Sequence, residues 1–102
     1  MKIDVPNMRH SIEKYGEEDR TTVAMEEFAE LIKAVSKYKR YILNARAYHD
    51  DDRYPASKIR ENVTEEMADA LICIETLREI FGISEDELEA MVERKCAVRN
   101  LA

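Results

Sequence analysis

Residues 62–81 read NVTEEMADALICIETLREIF, and this stretch decides the fold. Its apolar side chains recur at steps of four and three residues, which is the spacing of one face of an α-helix. The members of this apolar stripe are Val63, Met67, Ala70, Ile74, Leu77 and Phe81. A helix with such a stripe must bury it against a neighbouring element. The stretch therefore predicts an all-α protein built from packed helices.

The same stepping occurs earlier in the chain, in residues 21–44, which read TTVAMEEFAELIKAVSKYKRYILN. The stripe of this second segment consists of Ala24, Phe28, Leu31, Val35, Tyr38 and Ile42. Two long helices with matching stripes, joined to shorter ones by few connections, are typical of a helical bundle. We therefore expect a four-helix-type bundle, completed by oligomerisation.

Turn and capping residues set the expected helix boundaries. A short first helix covers Pro6 to Tyr15 and ends at Gly16. The second begins near Asp19 or Thr21 and runs to about Asn44. Residues 45–57 hold three consecutive Asp and Pro55, and we expect a loop or hinge there.

The last two helices have clearer signals at their ends. The third is expected to start at Asn62, with Glu65 as its capping partner, and to stop before Gly82. Ser84 and Glu87 form a capping box for the fourth helix, which is expected to reach about Asn100.

Length and composition restrict the class of protein. The chain has 102 residues with only 2 Gly and 2 Pro, which disfavours sandwiches, barrels and Gly-rich phosphate loops. We expect one domain over residues 1–102. A chain of this size buries only about 60–65% of its unfolded surface, which favours self-association.

The apolar runs and the cysteines indicate where the protein acts. The longest apolar run, residues 70–74, is far shorter than a membrane span of about 20 residues. The N-terminal residues carry no apolar leader, so we expect a cytoplasmic protein without a membrane partner. Cys73 and Cys96 lack metal-type spacing and are expected to be reduced core thiols.

Charge is distributed unevenly along the chain. The net charge of −6 argues against nucleic acid as a partner. Residues 33–60 carry eight Lys and Arg against three Asp, whereas residues 61–93 carry eleven Asp and Glu against one Arg. A site that holds a cation together with an anionic ligand explains this pattern, and so does a dipolar, solvated surface.

Four carboxylates lie where solvation alone would not place them. In a helical projection Glu27 and Glu66 border the two apolar stripes, and Glu30 and Asp69 lie one turn further on. Residues three apart on a helix are neighbours, so each pair can hold one ion between its oxygens. Such like charges need neutralising, and all-oxygen ligation suits Mg²⁺, with Mn²⁺ as a second possibility.

Two alternatives to a metal site stay open. Lys95 and Arg99 continue the Leu88–Val92 face of the fourth helix, so they are expected to point inward and could neutralise the acids. Alternatively, all four carboxylates are rim charges of a bundle, and the two cations extend past the core into water.

The order of these motifs resembles a known signature. Glu26-Glu27-Phe28-Ala29-Glu30 followed by Glu66-Met67-Ala68-Asp69 resembles the paired EExxE and ExxD motifs of the all-α nucleoside triphosphate pyrophosphohydrolases, with the MazG-like branch as the nearest match. Glu93-Arg94-Lys95 with Arg99-Asn100 is similar to the basic motif in the last helix of that family. The resemblance covers roughly Tyr15 to Asn100.

The resemblance implies a function. It implies hydrolysis of a nucleoside triphosphate to the monophosphate and pyrophosphate, in a homodimer or homotetramer with its site near a subunit interface. It implies that Mg²⁺ is held by Glu27, Glu30, Glu66 and Asp69. Either Glu27 or Glu30 would accept a proton from the attacking water. The substrate-binding residues would be Lys37, Lys95, Arg99 and Asn100.

Three alternative functions remain at this point. A phosphoribosyl-ATP pyrophosphohydrolase belongs to the same superfamily and is not excluded. A degenerate relative would bind nucleotide without hydrolysing it. A noncatalytic helical module would use the two stripes for dimerisation or another interaction.

The connection between the two motifs leaves substrate identity open. Between Glu30 and Glu66 lie 35 residues, a long spacing for the signature. Much of it is the basic, tyrosine-rich stretch from Lys37 to Arg60, which could be an extended hairpin, a substrate lid or an oligomer contact. Four tyrosines could stack on a base, with packing as the competing role: Tyr38, Tyr41, Tyr48 and Tyr54.

Overall fold

A computed structural model of the protein describes residues 1–44 and 55–99. Within these residues the chain is all-helical and has no strand, which confirms the predicted all-α class; the four-helix-type bundle and its oligomerisation stay predictions. A π-helical turn, Lys39–Leu43, continues the second helix. The α-helices are α1 (Val5–Tyr15), α2 (Glu17–Tyr38), α3 (Ala56–Phe81) and α4 (Glu85–Val98).

Local side-chain chemistry sets several of these ends. The Asp4 carboxylate accepts a hydrogen bond from the backbone N–H of Asn7, at 3.1 Å, and caps α1. Ser84 Oγ accepts from the N–H of Glu87, also at 3.1 Å, so the predicted cap of α4 is confirmed. Gly82 follows α3 at φ 68°, a left-handed conformation that glycine adopts without steric cost.

The predicted start of α3 at Asn62 is wrong. The helix begins six residues earlier, at Ala56, after Pro55 in an extended conformation. Ile59 is only 3% exposed, so burial of this side chain favours extending the helix beyond the capping signal. Asn62 and Glu65 therefore lie inside the helix and cap nothing.

The predicted loop at residues 45–57 is tested only at its C-terminal end. Residues 45–54 lie outside the described part of the chain. Residues 56–57 are helical, so the prediction is wrong for them. The second helix ends next to Asn44, as predicted, but its last turn is π-helical, and the N–H of Asn44 donates to the carbonyl of Lys39, five residues back.

Small side chains form the contact between α2 and α3, which pack on each other while α1 lies against both. The buried apolar residues of the described chain are Met8, Ala24, Ala34, Ile59 and Ala70. Alanines at a helix contact allow close approach. The packed face is therefore rotated away from the predicted stripes and toward Glu27 and Glu66, which are half-buried.

Several large members of the predicted stripes consequently remain exposed. Val35 is 45% exposed, Met67 51% and Phe81 56%. Val35 and Met67 line an apolar groove between α2 and α3, about 80° and about 100° around their helices from Glu27 and Glu66. The stripes thus predict the helices correctly but describe their packing within one chain only in part.

The fourth helix stands apart from the packed unit of α1, α2 and α3. It has no buried residue, and Val92 is 52% exposed. Lys95 and Arg99 are exposed, so the expectation that they point inward is wrong for the single chain, because no helix of the described ranges packs along their face. Cys96 is exposed and Cys73 half-buried, so neither is the core residue expected. No helix in the described ranges has the length and apolarity to cross a membrane.

Candidate metal centre

Three carboxylates from the two central helices meet at one point. Glu27 comes from α2, and Glu66 and Asp69 come from successive turns of α3. One carboxylate oxygen from each of the three residues lies within 4.8 Å of the other two. We call this group the acidic trio. The i, i+3 spacing of Glu66 and Asp69 places both on one face of α3, and the contact between the helices brings Glu27 to them.

The trio is partly withdrawn from water. Glu27 and Glu66 are half-buried, whereas Asp69 is exposed. The Oε2 atom of Glu66 is buried and has no hydrogen-bond partner. A buried acceptor without a partner costs free energy, and a negative one costs more. A cation or a proton bound at this oxygen would offset that cost.

The electrostatics agree with the geometry. Burial, followed by the negative charges of Asp69, Glu66 and Glu30 and a hydrogen bond with Asp69, raises the pKa of Glu27. Burial, followed by the charges of Asp69, Glu30 and Glu65, raises the pKa of Glu66. Each ionised carboxylate thus makes the next harder to ionise, and a cation would relieve the repulsion.

The described residues provide no cation of their own for the trio. Among residues 1–44 and 55–99, no Lys or Arg forms an ion pair with Glu27, Glu66 or Asp69. Cys73 lies nearby, but burial and the charges of Glu27 and Asp69 raise the pKa of its thiol. The sulfur is therefore protonated at neutral pH and is a poor ligand. Three carboxylates without His or thiolate suit Mg²⁺ or Mn²⁺, so the residues present fit the expected ion.

Glu30, the fourth expected ligand, is placed differently. It is exposed and does not belong to the trio, although its charge contributes to the raised pKa of both Glu27 and Glu66. Its carboxylate lines a polar cleft together with Lys37, which is half-buried. The structure thus brings three of the four predicted ligands together and leaves the fourth beside them.

The remaining predicted site residues are not assembled in the single chain. Lys95 and Arg99 lie at the exposed end of α4 and form no ion pair with the acidic trio. Asn100 lies outside the described residues. Of the tyrosines, Tyr41 lines the polar cleft and Tyr38 lines the apolar groove, while Tyr48 and Tyr54 lie outside the described residues.

Sequence reasoning missed three residues of the polar cleft: Lys33, Arg40 and Asn62. The first two had a usable signal, since Glu30, Lys33, Lys37 and Arg40 are spaced three, four and three apart and so share one side of the helix. Asn62 was not recognised as a cleft residue because the sequence predicts that it caps the start of α3.

Comparison of the chain with protein-family models, with curated proteins and with solved structures found no match.

Proposed function

We propose that the protein is a Mg²⁺-dependent nucleoside triphosphate pyrophosphohydrolase of the MazG-like kind, acting in the cytoplasm. The observation that carries the proposal is the acidic trio, in which the buried Glu66 Oε2 has no partner. The resemblance of the EExxE and ExxD motifs to that family points in the same direction. The products would be a nucleoside monophosphate and pyrophosphate.

Each residue near the trio has a distinct role in this proposal. Glu27, Glu66 and Asp69 would hold the ion, which when bound polarises phosphoryl oxygens and orients water. Glu30 lies beside the trio without belonging to it, and so suits the role of proton acceptor from the attacking water; Glu27 is the second candidate. Lys37 shares the cleft with Glu30 and would offset the charge of the triphosphate.

The basic residues of the last helix require more than one chain. Lys95 and Arg99 are exposed on a helix that stands apart, so we propose that they, with Asn100, reach the phosphates in an assembled homodimer or homotetramer. Self-association would also cover Val35 and Met67, which the single chain leaves in contact with water.

The direct test is release of pyrophosphate from a panel of common and modified nucleoside triphosphates with Mg²⁺. We expect turnover of at least one member. Asp69→Ala and Glu30→Ala should each abolish it while circular dichroism shows unchanged helix content. Glu61→Gln is the matched control, because Glu61 is an exposed acid on the same helix, outside the trio and not among the charges that raise the pKa of Glu27 or Glu66. Absence of turnover from every substrate, with the site saturated by Mg²⁺, would refute the proposal.

One observation favours a second candidate, a noncatalytic interaction module. The apolar groove lined by Val35, Val63 and Met67 could serve association without any chemistry. Thermal melts with and without Mg²⁺ separate the two, because only a protein with a metal site gains stability by mass action. A direct assay with phosphoribosyl-ATP separates the related hydrolase of the same superfamily.

A further inference from the structure

The polar cleft next to the acidic trio has the size and lining of a nucleotide site. Its volume is about 450 Å³, within the usual range of about 300–1,000 Å³ for small-molecule sites. Besides Ala34, its lining residues are Glu30, Lys33, Lys37, Arg40, Tyr41 and Asn62. The cleft therefore joins Glu30, the acid beside the trio, to three cations, one aromatic ring and one amide.

The order of these groups along the helix follows the parts of a nucleoside triphosphate. Glu30 stands at the end nearest the trio, Lys33 and Lys37 come next, and Tyr41 follows in the π-helical turn. At 1.5 Å per residue, Glu30 and Tyr41 are separated by about 16 Å along the axis. This distance is of the order of an extended nucleoside triphosphate, with its phosphates at the acidic end.

The far end of the cleft is built differently from the phosphate end. The Arg40 guanidinium lies over the Tyr41 ring, 4.8 Å from its centroid, which fixes the two side chains relative to each other. Both belong to the π-helical turn, a rare deviation that changes the direction of side chains relative to a continuous α-helix. Across the cleft, the Asn62 side chain makes no hydrogen bond to any described residue.

An aromatic ring and a carboxamide that line the same cleft can together recognise a nucleobase. The ring stacks on the face of any base, and the amide, which has both donors and an acceptor, pairs with the edge of some bases and not others. We propose that Tyr41 and Asn62 hold the base of the substrate, while Lys33 and Lys37 hold its phosphates. This inference deepens the proposed function and depends on it for the direction of the phosphates. Asn62 is then the residue that sets base preference.

The test compares kcat/KM for the four common ribonucleoside triphosphates between the wild type and Asn62→Ala. We expect kcat/KM of the variant to fall about tenfold for the preferred nucleotide, mainly through a higher KM, and to fall less for the other three. The differences in kcat/KM among the four nucleotides should therefore become smaller. Asn7→Ala makes the same change at an exposed position of α1, outside the cleft, and should leave kcat/KM for all four nucleotides unchanged. Inhibition by inorganic tripolyphosphate, which has no base, should be the same in all three proteins.

Tyr41 is tested by conservative replacement. Tyr41→Phe keeps the ring and should retain nucleotide affinity, whereas Tyr41→Leu should weaken it severalfold without altering inhibition by tripolyphosphate. Equal loss in both variants would show that the hydroxyl group and not the ring matters, and would overturn the stacking role.

The outcomes separate this inference from the proposed function. Full activity with unchanged base preference in Asn62→Ala would overturn the inference and leave the hydrolase intact. If no nucleotide is hydrolysed, binding of the same four nucleotides with Mg²⁺ is measured by calorimetry. Weaker binding by Asn62→Ala then supports the base site in a protein that is not a hydrolase. Absence of binding by the wild type overturns both.

Discussion

At the scale of single residues, Glu66 combines a carboxylate charge with burial of an oxygen that has no hydrogen-bond partner. Its Oε2 is buried without a partner, and burial together with neighbouring acids raises its pKa. Replacing the carboxylate by an amide of the same shape removes the repulsion. We therefore expect Glu66→Gln to melt at a higher temperature than the wild type in a buffer with a metal chelator.

The same variant should be stabilised by Mg²⁺ less than the wild type is. The wild type should gain stability with Mg²⁺, by about 2.7 kcal/mol when the ion is at a hundredfold excess over its dissociation constant. Glu66→Gln should lose most of that gain, and Glu61→Gln should keep it. Thermal melts of the three proteins over a Mg²⁺ titration check this, and an equal gain in all three would contradict a site at Glu66.

The pair of Arg9 and Glu79 predicts a dependence of stability on pH. Arg9 Nη2 lies 2.8 Å from Glu79 Oε1, and this hydrogen bond with the charge of Arg9 lowers the pKa of Glu79. The folded state thus favours the ionised acid. The contribution of the pair is complete above the unfolded pKa of Glu79, near 4.5, and is lost as pH falls through the lowered folded value.

Urea unfolding of Arg9→Met and the wild type at several pH values checks this dependence. The variant should be less stable at neutral pH, and the difference should vanish in acid. The side chains are 62% and 34% exposed, so we expect a small effect that weakens further in salt. A difference that is constant with pH would mean that Arg9 acts through packing and not through its charge.

The acids and the cations of the site were not equally predictable. Periodicity places Glu27 and Glu66 beside the two apolar stripes and Asp69 one turn further on, which puts all three near the contact between α2 and α3 although that contact is rotated from the stripes. Lys95 was expected inward from the same periodicity and is exposed. Periodicity gives the face of a helix but does not show whether the same chain supplies the surface that covers it.

At the scale of helices, ends marked by glycine or a capping box were predictable and ends set by packing were not. Gly16, Gly82 and Ser84 stand where the sequence predicts a boundary. The start of α3 follows burial of Ile59, a tertiary effect. The π-helical turn after Tyr38 has no compositional signal in the residues that form it.

The two glycines predict a ranking of helix-end variants. Gly82 has φ 68° and ψ 30°, a left-handed conformation, and an added Cβ would meet no atom within 4 Å. Gly82→Ala should therefore lower the free energy of unfolding only by the cost of a left-handed backbone for a residue with a Cβ, about 1–2 kcal/mol. Gly16 has φ 90° and ψ 157°, a region populated almost only by glycine, so Gly16→Ala should cost more.

Chemical denaturation of both alanine variants gives the ranking, with Gly82→Asn as the control. Asn tolerates the left-handed region, so this variant should be more stable than Gly82→Ala. Equal stability of Gly16→Ala and the wild type would show that the connection between α1 and α2 adopts another conformation in solution.

At the scale of the whole molecule, a single chain has more accessible surface than a typical monomer of its mass. Its accessible surface is 8246 Å², whereas a folded monomer of 11.9 kDa typically has about 6,000 Å². Its radius of gyration is 17.0 Å, against about 13 Å expected for a compact chain of this length. The excess surface is close to what one chain contributes to an obligate homodimer, about 1,000–2,500 Å².

Self-association through the apolar groove is therefore the prediction that belongs to this scale. Met67 is 51% exposed in that groove, beside Val35 and Val63. We expect the wild type to sediment as a dimer or larger, and Met67→Lys, which places a charge in the contact, to shift toward monomer. Thr22→Lys adds the same charge at an exposed position of α2 that lies opposite the groove in helical projection. This variant should sediment like the wild type. If Met67→Lys assembles as the wild type does, or if the wild type is monomeric, the groove is not the subunit contact, and Lys95 and Arg99 would have no route to the acids through it.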